Sequence, residues 1–340
     1  MMTKLRFGIL GAGYIGKRHA EHICNHPEAE LAGVYDIKPE RAKALAELFN
    51  TQPFYTLESF LEVPMDVVNI CTPNGLHAQG AIAALKSQKH VVVEKPMALN
   101  SEDCEQMIHE AMNRHLNLFV VKQNRYNPPI VALKKLMEEG KLGKIYMVNL
   151  NCYWNRNARY YTDSDWKGSK DLDGGTLFTQ FSHFIDIIHY LFGYIKHPQG
   201  SITNANHGDL IQFEDTGTFT FQLPGNVLGS MNYTTCATHK NMEGSITVFA
   251  EKATIKVGGQ YLNTLEYQEL DGLEPLVIET IEKANDYGFY KGSMSNHDVM
   301  IQNVVDFMKG QSAQTTNALD GMKTVQAIEE MYKNAVWIPS

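Results

Sequence analysis

Leu5-Arg6-Phe7-Gly8-Ile9-Leu10-Gly11-Ala12-Gly13-Tyr14-Ile15-Gly16 is the stretch whose reading decides the fold. Its apolar run reads as a short buried strand, and the amphipathic residues from Tyr14 to Cys24 read as the helix that the glycine-spaced turn opens. Gly11 permits the tight turn, Gly13 lets backbone N–H groups approach a pyrophosphate at the positive end of the helix, and Gly16 lets the helix pack close on the strand. Tyr14 and Ile15, inside that turn, complete its expected contacts with a dinucleotide.

Working outward, Leu31-Ala32-Gly33-Val34-Tyr35 forms a second apolar strand that ends at Asp36. A carboxylate there hydrogen-bonds the adenosine ribose hydroxyls and repels the extra phosphate of NADP, so NAD is the expected cofactor. Lys38 and Arg41 pull against that preference. The alternation continues with helices predicted over 39–49, 76–86 and 101–115 and strands over 65–71, 90–94 and 118–121. Ser101 is the expected cap of the third of these helices, with Glu102 and Asp103 in its first turn. Unbroken apolar strands separated by helices predict a parallel α/β sheet covered on both faces, a Rossmann domain over 1–122.

In such a sheet the ligand lies beyond the carboxyl ends of the strands. That rule singles out Thr72-Pro73-Asn74 with His77, then Glu94-Lys95-Pro96, and Gln123, where the pattern changes. Lys95 stands at the lip of the expected crevice, and its bond to Pro96 is a candidate for the cis form. From 123 to 340 a helix over 128–140 and strands over 145–154, 216–223, 227–233 and 246–257 predict an α+β domain with an open, mainly antiparallel sheet. An uncovered sheet face suits self-association, so a homo-oligomer, a dimer or tetramer, is expected.

Composition bounds the rest. A net charge of −8 and a pI near 5.9 leave no basic stripe for nucleic acid. Five scattered cysteines with no CxxC pair suit a reducing compartment. The first strand begins within a few residues of the start, leaving no room for a signal peptide, and no apolar run is long enough to span a membrane. A cytoplasmic protein without membrane partners is therefore expected.

Asp173-Gly174-Gly175 leads into a helix predicted over 177–192. Phe181, Phe184, Ile185, Ile188 and Phe192 share its core face, and Thr179, His183, Asp186 and Tyr190 cluster opposite. That polar stripe faces either a cleft or solvent; helical spacing does not choose. A metal site from His183, Asp186 and His189 is disfavoured because His189 lies about 120° around the helix from His183, and no metal is expected.

Taken together, the GxGxxG turn with His19, Thr72-Pro73-Asn74 with His77, Glu94-Lys95-Pro96, and Asp173-Gly174-Gly175 followed by His183 and Asp186 resemble the glucose-fructose oxidoreductase/inositol dehydrogenase (Gfo/Idh/MocA) family. The resemblance spans both domains in order. It implies an oxidoreductase in which Lys95 and His183 flank the nicotinamide and the reacting carbinol. It also implies an Asp or Asn four residues before the histidine, where this chain has Thr179, a residue able to hydrogen-bond a sugar hydroxyl but not to supply charge.

Gln123-Asn124-Arg125-Tyr126-Asn127-Pro128-Pro129, Tyr153-Trp154-Asn155-Arg156, Tyr160-Tyr161, Asp165-Trp166-Lys167-Gly168 and Gln180 are similar to members of that family that oxidise UDP-sugars for surface polysaccharides. This implies a UDP-sugar substrate held by Arg125, Tyr126, Arg156, Tyr160, Trp166, Thr179, Gln180 and His183. In some such enzymes the reduced cofactor stays bound and is reoxidised by 2-oxoglutarate. Arg159 and Lys167 are further cations suited to an acidic substrate. A dehydrogenase of a free sugar or cyclitol, and a catalytically silent NAD-binding sensor, are the competing readings.

Overall fold

The computed structural model describes residues 4–278, 284–286 and 291–339. The chain runs β1 (Leu5–Leu10), α1 (Tyr14–Asn25), β2 (Ala29–Tyr35), α2 (Pro39–Leu48), β3 (Pro53–Phe54), α3 (Leu57–Leu61), β4 (Val67–Ile70), α4 (His77–Lys86), β5 (His90–Val93), α5 (Ser101–Asn113) and β6 (Leu118–Val120). It continues α6 (Pro128–Glu138), β7 (Ile145–Tyr153), α7 (Ala158–Thr162), α8 (Thr176–Thr179), α9 (Ser182–Phe192), β8 (Lys196–Thr203), β9 (Thr216–Leu223), β10 (Val227–Thr234), β11 (Glu243–Ala250), β12 (Ala253–Gly258), β13 (Thr264–Leu270), β14 (Ala284–Asp286) and β15 (Lys291–Met294). Helices α10 (His297–Met308) and α11 (Ala318–Lys333) and strand β16 (Ala335–Trp337) follow.

The first six strands form one parallel sheet in the order β3-β2-β1-β4-β5-β6. Its register aligns Leu10 with Tyr35 and with Ile70, Ile70 with Val93, and Val93 with Val120. The residues that follow these ends therefore stand in one row: Gly11, Asp36, Cys71, Glu94 and Val121. Such alignment is how a parallel sheet gathers loops from distant parts of the chain at one edge. The two-residue strand β3, with Pro53 at its start, is too short to show in a hydrophobic pattern.

Residues 1–122 and 297–325 form one compact unit, and 123–296 and 326–340 form the other. The expected division at 122 thus leaves out a return of the chain. Helix α10 belongs with the first unit, where it packs on α1 and buries His297 completely. The cap of α5 is also corrected, from Ser101 to Asn100, whose side chain accepts from the Asp103 N–H at 2.7 Å.

The second unit holds an eight-stranded sheet in the order β13-β12-β11-β7-β10-β9-β8-β16. Its pairings are antiparallel except β7 with β10 and β8 with β16. The single strand predicted over 246–257 is two, because the chain turns at the polar pair Glu251-Lys252 and pairs back as β11 and β12. Along β9 every second residue is buried. On the inner face, Trp154 and Tyr233 pack against Phe181, at ring separations of 5.5 and 5.3 Å, and Trp154 also meets Phe184 at 5.4 Å. The helix predicted over 177–192 is broken into α8 and α9 around Gln180 and Phe181.

Candidate active site

In the first unit the glycine turn has the geometry its spacing demands. Gly11 has φ +104°, and a Cβ there would meet the Cys71 carbonyl at 2.6 Å. At Gly16 a Cβ would meet the Gly11 carbonyl oxygen at 2.0 Å, so only glycine lets α1 lie this close to its own turn. A Cβ on Gly13 would meet nothing within 4 Å, which leaves open space over the start of α1. Tyr14 is exposed there and Ile15 is half-buried. The Asp36 carboxylate accepts from the backbone N–H of Ala12 at 2.7 Å and of Lys38 at 2.8 Å, which fixes an acid beside the turn.

The other two strand ends are tied together by His77. Its Nδ1 lies 2.7 Å from the Pro96 carbonyl oxygen and its Nε2 3.0 Å from that of Thr72. Burial pushes the ring below its ordinary range, and both carbonyls pull it back up. His77 was expected to touch the cofactor; the structure gives both its nitrogens to the backbone of the loops it joins. Asn74 is buried in the same loop beside half-buried Pro73, and the Thr72 hydroxyl oxygen is buried with no hydrogen-bond partner among the described residues.

Lys95 follows β5 and is joined to Pro96 by a cis bond. Glu94, also expected at the cofactor, is instead turned inward: Oε1 accepts from His19 Nε2 at 2.7 Å and from His297 Nε2 at 3.3 Å, and Oε2 from the Lys95 N–H at 3.1 Å. Burial alone would raise this carboxyl, but the two imidazoles hold it well below the usual carboxylate range. These donors account for the inward turn, because a buried carboxylate is stable only when its oxygens are filled.

In the second unit Arg125 was expected to hold substrate. Its Nε and Nη2 instead donate to Asp186 at 2.8 and 2.7 Å, both side chains are buried, and the guanidinium lies over the Tyr190 ring. Thr179 is likewise engaged within the fold. Its hydroxyl donates to the Asp173 carbonyl at 3.0 Å and to the Asp173 carboxylate, whose Oδ2 accepts from the Gly168 N–H at 2.7 Å. The polar stripe of α9 is not solvated: His183 and Asp186 are buried.

Gln180, in the break before α9, joins the remaining candidates. Its Oε1 accepts from Arg156 Nε at 2.8 Å and its Nε2 donates to the Tyr160 hydroxyl at 2.7 Å. The Arg156 guanidinium lies 5.0 Å from the Trp154 ring centre and 5.1 Å from that of Tyr160, and Lys167 Nζ sits 3.7 Å from the Tyr160 centre. Burial, helped by the Arg156 charge, lowers Lys167 to about 8. Arg156 is buried and also held, its Nη1 donating to the Asn155 carbonyl at 2.7 Å and to Asn241 Oδ1 at 3.2 Å. Two cations are thus packed on one aromatic ring with no carboxylate bonded to the guanidinium among these contacts, a concentration of positive charge that suits an anion. Trp166 is half-buried next in sequence to Lys167, and Tyr126 is half-buried beside Arg125. Arg159 pairs with Asp163 on the surface at 2.7 Å.

Other polar groups stand out in the structure, of which His207, Asp215, Cys236 and His297 were not singled out as site residues by the sequence. Asn124 is buried with neither amide atom partnered among the described residues, in the turn that also holds Gln123 and Arg125. Among the described residues, two clusters have metal-ligand chemistry within 4.8 Å, His19–Glu94–His297 and His207–Asp215–Cys236. In the first, Glu94 accepts from both imidazoles, while His297 Nδ1 is buried without a hydrogen-bond partner among the described residues. In the second, Asp215 accepts from His207 Nδ1 at 2.9 Å and from the Ala205 N–H at 2.9 Å, and the pair lifts His207 to about 10 against the opposing effect of burial. Their members come from distant elements, so no local spacing marks them.

A glycine turn on a parallel sheet, an acid fixed beside it and a lysine at the neighbouring strand end define a dinucleotide-dependent oxidoreductase. Family models agree: the oxidoreductase family with NAD-binding Rossmann fold matches residues 5–122, the GFO/IDH/MocA C-terminal domain matches 130–256, and the chain belongs to this Gfo/Idh/MocA family. It is an NAD-dependent enzyme. It is similar to the WlbA dehydrogenase of Chromobacterium violaceum, solved with NADH and UDP-GlcNAcA (34% identity over 97% of this chain and 93% of that one, TM-score 0.88). It is also similar to the WlbA dehydrogenase of Bordetella pertussis, solved with the same two ligands (32%, 97% and 96%, TM-score 0.87). A more distant relative is the 2,7-anhydro-N-acetylneuraminate hydratase of Escherichia coli (28% identity over 78% of this chain and 74% of that one).

The residues present fit the cofactor. The open space over Gly13, the acid fixed at Asp36 and the unpartnered Thr72 hydroxyl are the donors, acceptors and room a dinucleotide needs. Among the described residues no helix is long and apolar enough to cross a membrane.

Proposed function

We propose that this chain oxidises the C3 hydroxyl of UDP-N-acetylglucosaminuronate, a step toward surface polysaccharide. The observation that carries the reading is the Arg156–Gln180–Tyr160–Lys167 cluster, placed just before the helix that bears His183. Its two cations, Lys167 and the buried Arg156, concentrate positive charge beside aromatic rings, which suits a substrate that has a uronate, a pyrophosphate and two rings. The likeness to two dehydrogenases solved with UDP-GlcNAcA supports the same substrate class.

NAD, when bound, supplies the hydride acceptor. The backbone of Gly11, Gly13 and Ile15 would hold its pyrophosphate, Asp36 its adenosine ribose, and Thr72, Pro73, Asn74 and Gln123 the strand-end side, with Tyr14 over the turn. His183 takes the hydroxyl proton as general base, and Lys95 donates a hydrogen bond to the oxygen as its negative charge grows. Exposed Met147, Leu228 and Phe249 align across β7, β10 and β11, and this apolar row on the open sheet is read as a self-association surface of a dimer or tetramer.

The test is the near-ultraviolet absorbance of reduced nicotinamide after mixing protein with UDP-N-acetylglucosaminuronate, with and without 2-oxoglutarate. A rise that 2-oxoglutarate reverses is expected. No rise, with NAD bound, rejects this substrate and turns the assay to free sugars and cyclitols. Product formed without net reduction would instead resemble the hydratase relative.

A further inference from the structure

We infer that His297, carried by α10 far beyond the glycine turn in sequence, is a positioning residue for Lys95 and acts through the buried carboxylate of Glu94. The inference rests on the reading of Lys95 as the donor to the substrate oxygen. Three elements converge on Glu94. Asn69 of β4 donates its amide to His19 Nδ1 at 2.7 Å, which leaves His19 of α1 with its proton on Nε2, directed at Glu94 Oε1. His297, the first residue of α10, adds a second donor to the same oxygen. Its ring meets His19 edge-on at 5.3 Å and stacks on His22 at 6.2 Å, so its orientation is set on two sides.

Glu94 Oε2 is then left for one task, accepting the N–H of Lys95 at 3.1 Å. On the far side His77 holds the Pro96 carbonyl. The backbone around Lys95 is gripped before and after by side chains that are themselves held. With His297 removed, Oε1 keeps one donor, the carboxylate is free to swing toward it, and the Lys95 peptide loses its fixed acceptor. A lysine that delivers a hydrogen bond to a growing charge depends on sub-ångström placement, so the loss falls on the chemical step.

The experiment compares wild type, His297→Leu, His297→Asn and His297→Gln in steady-state turnover, with NAD affinity followed by intrinsic fluorescence and folding by thermal melting. Glutamine carries an amide N–H to about the place of Nε2; asparagine is too short to reach Glu94. The expected result is a kcat about ten-fold lower in H297L and H297N, with KM and NAD affinity within about two-fold of wild type, and recovery of most of kcat in H297Q. Where H297L does not fold, H297N carries the comparison. Unchanged kcat in H297N, or a loss that glutamine fails to restore, overturns the inference. Lys95→Met, run alongside, separates the two ideas: full turnover there sinks the role of Lys95 itself, whatever His297 does.

Discussion

Arg125 and Asp186 form a buried two-point ion pair, with Nε–Oδ2 at 2.8 Å and Nη2–Oδ1 at 2.7 Å, and Asp186 lies one helical turn from His183 on the same face of α9. A planar fork closed on a carboxylate fixes rotation as well as distance. The pair therefore sets how α9 turns about its axis against the 123–126 turn, and with it where the imidazole is carried. Asp186→Asn removes the counter-charge of a buried guanidinium and is expected to cost about 3–5 kcal/mol in denaturant unfolding. Arg125→Met with Asp186→Leu is expected to regain most of that stability without regaining turnover. Equal turnover in the double variant and wild type would reduce the pair to a packing device.

Lys95→Met and His183→Ala test the proton and hydrogen-bond roles directly. Each is expected to lower kcat by about 10²–10⁴-fold, the range for a lost general base or oxyanion donor, while NAD affinity stays near wild type. Fluorescence titration with NAD and single-turnover absorbance measure the two quantities separately.

The Rossmann unit was legible because each of its signals is local: an apolar strand, a glycine spacing, an acid at the next strand end. Gly11, Gly13, Gly16 and Asp36 could be placed from the chain alone for that reason. Arg125, Glu94, His77 and Thr179 look from the sequence like ligand contacts, and the structure engages all four internally. A polar residue near a site and a polar residue supporting it are the same letters; only the partner distinguishes them, and here the partners lie 61, 75 and 19 residues away for the first three. The break between α8 and α9 was missed because Gln180 and Phe181 fit a helical pattern, and the tertiary demand for Gln180 to join Arg156 to Tyr160 overrides it.

Asp36 predicts cofactor preference. Its two oxygens accept from Ala12 and Lys38, so Asp36→Asn keeps the volume and removes the charge that repels a ribose phosphate. The ratio of kcat/KM for NADP to that for NAD is expected to rise by roughly ten-fold, equivalent to about 1.4 kcal/mol. Lys38, next to the site, works in the same direction. An unchanged ratio would place the adenosine ribose elsewhere.

Glu214 predicts a pH dependence of stability. Burial raises its carboxyl to about 7, although the Tyr332 and Tyr233 hydroxyls donate to Oε1 at 2.8 and 3.1 Å. Because the folded value lies above the unfolded one, its stabilising share is fully present below about 4.5 and is lost as pH rises through 7. Tyr332 also accepts the Leu177 N–H at 3.1 Å, and a Cβ on Gly175 would strike its hydroxyl at 2.3 Å, so the loss is felt where α8 begins. Glu214→Gln is expected to flatten the melting temperature between pH 5 and pH 8, a swing on the order of 3 kcal/mol in wild type. The same slope in both proteins would show that Glu214 does not titrate there.

Lys167 gives the sharpest test of an anionic substrate. Its ammonium, lowered to about 8 by burial and by Arg156, is charged below that pH and neutral above it, while Asp173 and Asp163 pull it upward. An acidic sugar nucleotide binds the charged form, so kcat/KM is expected to hold up to about pH 8 and to fall beyond it. Lys167→Met removes the charge at every pH and is expected to cost roughly ten-fold or more at neutral pH, with the gap to wild type closing as the lysine deprotonates. A neutral free sugar would feel neither effect. A pH profile measured on both proteins with UDP-N-acetylglucosaminuronate and with an uncharged sugar therefore separates the two substrate classes, and a flat wild-type profile with the acidic substrate would remove Lys167, and the cluster around Tyr160, from its recognition.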